Sequence, residues 1–64
     1  MKTVQIESIV KGDIIKISSS NYPKLMVTRS INTGGFVMLI MTPVNGVGFT
    51  NAVQAVGTTV TKFN

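Results

Sequence analysis

Cysteine, histidine and tryptophan are all missing from this chain, and its acidic residues come to two, Glu7 and Asp13. Without cysteine there is neither a disulfide framework nor a thiolate for a metal, and without histidine the common zinc and iron ligand sets also fall away. No metal and no cofactor are expected. The same absences bear on catalysis, because general acid-base chemistry needs a group titrating near the working pH and a nucleophile needs a base beside it. Ser18, Ser19 and Ser20 have no such partner in sight, and an enzyme is not expected. Long hydrophobic runs are lacking too. The longest is the six residues 36–41, against the roughly 20 needed to span a bilayer. The first residues lack the apolar core of a secretory signal, so an intracellular, cytoplasmic location is expected, with no membrane partner. A small basic chain of this kind is typical of bacterial or bacteriophage genes.

Charge of either sign is scarce, at 12% of residues where roughly 25% is usual. Six cations against two acids give a net charge of +4. The lysines stand apart at positions 2, 11, 16, 24 and 62, and Arg29 alone offers bidentate phosphate geometry. Apolar residues make up 44% of the chain, which argues against disorder. With 64 residues the chain forms one domain, too short to bury the share of surface that larger domains bury. Oligomerisation is the common remedy when disulfides and metals are absent.

What is present centres on 34–42, where Gly34 and Gly35 are followed by Phe36-Val37-Met38-Leu39-Ile40-Met41. In a strand, Phe36, Met38 and Ile40 line one side and Val37, Leu39 and Met41 the other. Both sides are apolar, so something must cover the second: a bent sheet, a second copy or a partner.

Strands are expected before and after this segment. Residues 2–6 alternate, with Val4 and Ile6 on one face; Gly12-Asp13 signals a turn, and a second strand follows over 14–17. A polar loop over 18–23, closed by Pro23, leads into a third alternating stretch at 24–31. That stretch places Leu25, Val27, Arg29 and Ile31 together. Asn32-Thr33-Gly34-Gly35 suits a tight hairpin joining the third strand to the apolar fourth. After Pro43 and the Asn45-Gly46 turn, a short strand ends at Phe49. Residues 50–57 read as a single helical turn with Gly57 at its end, an extended segment being the alternative. A β-branched final strand occupies 58–63.

This order resembles the small SH3-like barrels, on the 9–17 opening with its Gly12-Asp13 turn, the hairpin at Asn32 to Gly35, and the single turn at 51–56 before the last strand. The resemblance implies an all-β fold, a five- or six-stranded antiparallel barrel with one short helical turn before its final strand. It also implies binding of peptides, proteins or nucleic acids rather than catalysis. The aromatic groove for proline-rich peptides has no counterpart, since Tyr22 is the one tyrosine and tryptophan is absent.

Two binding surfaces follow. For contact with a protein, including a second copy, the expected residues are Met26, Val37, Leu39 and Met41, an apolar set whose thioethers adapt to a partner's shape. For nucleic acid or another acidic partner they are Lys16, Lys24 and Arg29, with Tyr22 as a stacking ring. Arg29 is ambiguous, being grouped with apolar residues by alternation, and either sits at a barrel rim or pairs with Glu7 or Asp13. Asp13 reads as a turn cap. The first choice is a non-enzymatic module acting stoichiometrically on a protein, as an accessory or inhibitor protein would; nucleic acid is second, and a structural subunit of an assembly third.

Overall fold

The computed structural model describes residues 1–18 and 20–64; Ser19, one of the three serines weighed above, lies outside the described residues. Among the described residues six strands form one sheet: β1 (Lys2–Gln5), β2 (Ile14–Lys16), β3 (Leu25–Asn32), β4 (Phe36–Pro43), β5 (Thr50–Ala55) and β6 (Thr59–Lys62). Every pairing is antiparallel, and the strands lie side by side in the order β1-β6-β2-β3-β4-β5. The fold is all-β, as expected.

The expected barrel is not closed. β1 pairs with β6 and β5 with β4, and among the described residues no ladder joins β1 to β5. The sheet is nevertheless strongly curled, for two reasons. A single sheet without a covering layer can bury one face only by bending around it. In addition, three residues, 56–58, carry the chain from the end of β5 to the start of β6. Such a link spans at most roughly 14 Å, although along the sheet three strands, β2, β3 and β4, lie between these two.

The core lies inside the curl. It contains Ile15 from β2, Leu25 and Val27 from β3, Val37, Leu39 and Met41 from β4, Ala52 from β5 and Val60 from β6, with Ile6, Ile9 and Ile17 from the connections. A 3-10 turn, Ile6–Ser8, brings Ile6 into this core. Its backbone N–H donates to the Thr58 carbonyl at 2.8 Å, and the Glu7 carboxylate accepts from the Gly57 N–H at 2.9 Å. The turn therefore ties the β5–β6 connection to the segment after β1.

The Gly12-Asp13 turn forms where expected. Gly12 N–H donates to the Val27 carbonyl and Val27 N–H to the Asp13 carbonyl, both at 2.8 Å. The buried Asp13 carboxylate accepts from the Val10 N–H at 3.0 Å and lies 3.5 Å from the Lys62 ammonium. It caps its turn, which is the role turn chemistry assigns to Asp. At the β3–β4 hairpin the Asn32 side chain accepts from the Gly34 N–H at 2.8 Å, while Gly34 takes a φ of +92°. A residue with a Cβ is strained there.

Two local expectations are corrected. Residues 50–57 are not a helical turn: Thr50–Ala55 is β5, paired along its length with β4. The helix-tolerant composition yields to the free ladder that β4 offers. The short helical element is instead the 3-10 turn after β1. Nor does a strand end at Phe49, since 44–49 form an irregular loop. Thr42 Oγ1 donates to the Gly48 carbonyl at 2.9 Å, and Gly46 sits so close to Pro43 that a Cβ on it would lie 3.1 Å from that ring.

Candidate interaction surface

The site is built on β4, because its ladder partners decide which of its two apolar sides is enclosed. Val37, Leu39 and Met41 lie opposite Gln54, Ala52 and Thr50 of β5 and are each 0% exposed. Phe36, Met38 and Ile40 lie opposite Ala55, Val53 and Asn51, on the outer side. Of these Phe36 is 56% and Val53 60% exposed, while Met38 and Ile40 are partly covered.

A bulge in β3 extends this outer surface. Val27 faces Met41 and Arg29 faces Ile40, leaving Thr28 as one extra residue whose Oγ1 donates to the Ile40 carbonyl at 3.0 Å. An inserted residue shifts the alternation beyond it. Leu25 and Val27 therefore point inward, whereas Arg29 and Ile31 point outward beside Ile40 and Met38. The expectation that Leu25, Val27, Arg29 and Ile31 share one face is corrected by this single residue. Arg29 is exposed, and of its two expected alternatives the pairing with Glu7 or Asp13 is not seen among the described residues. Asp13 is engaged by Lys62 and the Val10 N–H, and Glu7 by the Gly57 N–H.

Of the four residues expected at a protein interface, Met26 stands where that role requires. It is 40% exposed and lies opposite Thr42 on the outer side. Val37, Leu39 and Met41 are core residues and are corrected accordingly: the curled sheet encloses their side, and they can reach no partner without unfolding. The apolar surface left over is their alternates, Phe36, Met38 and Ile40, joined by Ile31 and Val53 from the flanking strands.

Of the four residues expected to meet an acidic partner, Lys16 and Lys24 stand one step beyond the Ile15–Leu25 pair of the β2–β3 ladder, while Tyr22 and Arg29 border different depressions. Lys16 borders a shallow depression with Thr3 and Thr61. Tyr22, half exposed, borders a second with Ile17, Thr50 and Asn51. Arg29 borders a third with Glu7 and Lys11, where an acid and two cations mix. Lys24 places its ammonium 5.0 Å from the centre of the Phe63 ring, a cation–π contact of the kind worth about 0.5–1 kcal/mol at an exposed site.

One signal in the sequence marks the apolar surface. Residues 30–61, 32 of the 64, contain no charged side chain at all. That stretch comprises the last three residues of β3, all of β4 and β5, the loop between them and most of β6. Its loop adds two large apolar side chains that are nearly free of contacts, Val47 at 93% and Phe49 at 78% exposure. Among the described residues no helix is long and apolar enough to cross a membrane. Comparison with protein families, curated proteins and solved structures returns no match for this chain.

Proposed function

We propose that this chain is a non-catalytic binding module that acts stoichiometrically by protein–protein contact through the outer face of β3, β4 and β5, with self-association among its modes. The supporting observation is the coincidence of an exposed apolar face with a stretch free of charge. On a chain of net charge +4, an apolar face whose β4 and β5 carry no charge and whose one cation on β3 is Arg29 favours a partner of matching apolarity over an acidic one. Burying Phe36, Met38, Ile40 and Val53 against such a partner supplies a hydrophobic drive of about 25 cal/mol per Å² of apolar surface covered. An accessory or inhibitor protein that occupies a partner's surface fits this description.

Light scattering of the purified protein at low and high salt, with and without a short mixed oligonucleotide, tests the proposal. The expected result is an assembly indifferent to salt and to the oligonucleotide, reduced to the monomer mass by Met38→Lys with the far-UV circular dichroism retained. Binding to nucleic acid is the second reading, supported by the basic balance and by Tyr22 standing half exposed between Asn21 and Pro23. It requires a mass gain with oligonucleotide that vanishes steeply as salt rises, because released counterions drive such binding. A monomer showing that gain would replace the first reading with the second.

A further inference from the structure

We infer, building on the protein-contact reading above, that a second copy of the chain joins edge to edge along β5 in antiparallel register with a two-fold axis at Val53, which sets the outer faces of the two copies side by side.

The two edges of the sheet differ in a way that selects β5. β1 is four residues long and carries Lys2, a charge of the kind that discourages edge pairing. β5 has six residues, Thr50-Asn51-Ala52-Val53-Gln54-Ala55, with neither charge nor proline. Among the described residues, its position at the end of the sheet leaves one side of its backbone without a ladder.

The phase of that free side follows from one hydrogen bond. Val56 N–H donates to the Gly35 carbonyl at 3.0 Å, continuing the β4–β5 register in which Phe36 faces Ala55. Hydrogen-bonded and non-hydrogen-bonded pairs alternate along an antiparallel ladder. Residues 50, 52 and 54 therefore turn their N–H and C=O groups toward β4, and Asn51, Val53 and Ala55 turn theirs outward. Among the described residues, no side chain or connecting segment bonds to the backbone of Asn51 or Val53. Ala55 lends its carbonyl to the Thr58 N–H at 3.1 Å and keeps a second lone pair.

These three residues fix the register. Symmetric pairing that uses all of them sets Val53 against Val53 of the second copy and Asn51 against Ala55. Residues of equal parity then oppose one another, so the outer face of one copy continues into the outer face of the other. Val53 and Met38 of both copies form one apolar band across the junction. No cation is brought to this band by β4 or β5, because both lie within the uncharged 30–61 stretch. Two copies of +4 each thus meet where neither carries charge, and the joint is isologous, as two-fold dimers require.

Because the chain has no cysteine, introduced thiols report the register directly. Opposed Cα atoms of a hydrogen-bonded antiparallel pair stand about 5.5 Å apart, within the usual range for a disulfide. Mild oxidation of Val53→Cys is expected to yield a covalent dimer, and Asn51→Cys mixed with Ala55→Cys a mixed dimer that neither forms alone. Val53→Pro removes an outward N–H without costing a bond to β4; it is expected to retain the far-UV spectrum and to scatter as a monomer where the unaltered chain scatters as a dimer. An unaltered chain that stays monomeric at every concentration overturns the inference. So does a dimer that survives Val53→Pro and resists cross-linking at 53; if Met38→Lys then abolishes it, the face stands as the interface and the edge geometry alone is wrong.

Discussion

The two sides of β4 are built from nearly the same material, Val37, Leu39 and Met41 on one and Phe36, Met38 and Ile40 on the other, yet one is sealed and the other faces outward. Composition does not separate them. Their ladder neighbours do: β3 and β5 send Val27 and Ala52 to the first side and Arg29, Ile31 and Asn51 to the second. A strand of this kind learns its inside from the strands that flank it, and apolarity on the remaining side is then available for a partner.

Residues on β4 and at the β3 bulge beside it can break this comparison if it is wrong. Leu39→Ala empties space on the sealed side and is expected to cost about 2–5 kcal/mol, read as a lower midpoint in denaturant, with much of a small domain's stability lost. An unchanged midpoint would mean that this side is not the interior. Thr28→Val keeps the shape of the bulge residue but deletes the hydroxyl that binds the Ile40 carbonyl; a loss of about 0.5–1.5 kcal/mol is expected. A neutral result would show that the change of side between Val27 and Arg29 is held without that bond. The smallest effect is expected at Ile40→Thr, which retains a β-branched strand former on the outer side. Its midpoint should move by less than about 1 kcal/mol, although it is the immediate neighbour of Leu39.

Much of the fold was legible because turns and alternation are local. Gly12-Asp13 and Asn32 to Gly35 announce their turns through residues that bind their own backbone, and 36–41 reads as a strand from its period alone. The features that set the site were not local. The bulge at Thr28 leaves the spacing of Leu25, Val27, Arg29 and Ile31 looking uniform, since an extra residue is visible only against the partner strand. The same blindness assigned Val37, Leu39 and Met41 to an interface, for two apolar sides are equivalent until one is enclosed. Residues 50–55 carry Ala and Gln, which a helix accepts, and it is the open edge of β4 that makes them extended. Met26 was placed on the correct side because its stretch precedes the bulge. The absence of charge from 30 to 61 was readable all along, and it covers the β4 and β5 part of the candidate surface.

The pairing of β1 with β6, Lys2 opposite Lys62, has a kinetic consequence. β6 lies between β1 and β2, so the first strand has no ladder until the last has been made and delivered. Closing a contact across almost the whole sequence exacts its loop entropy before it returns any stabilisation, and folds dominated by such contacts form in about milliseconds to seconds rather than microseconds. On the ribosome β2, β3, β4 and β5 can assemble as they emerge, with β4's outer face and β5's edge already in place while Val4 and Ile6 wait in solvent.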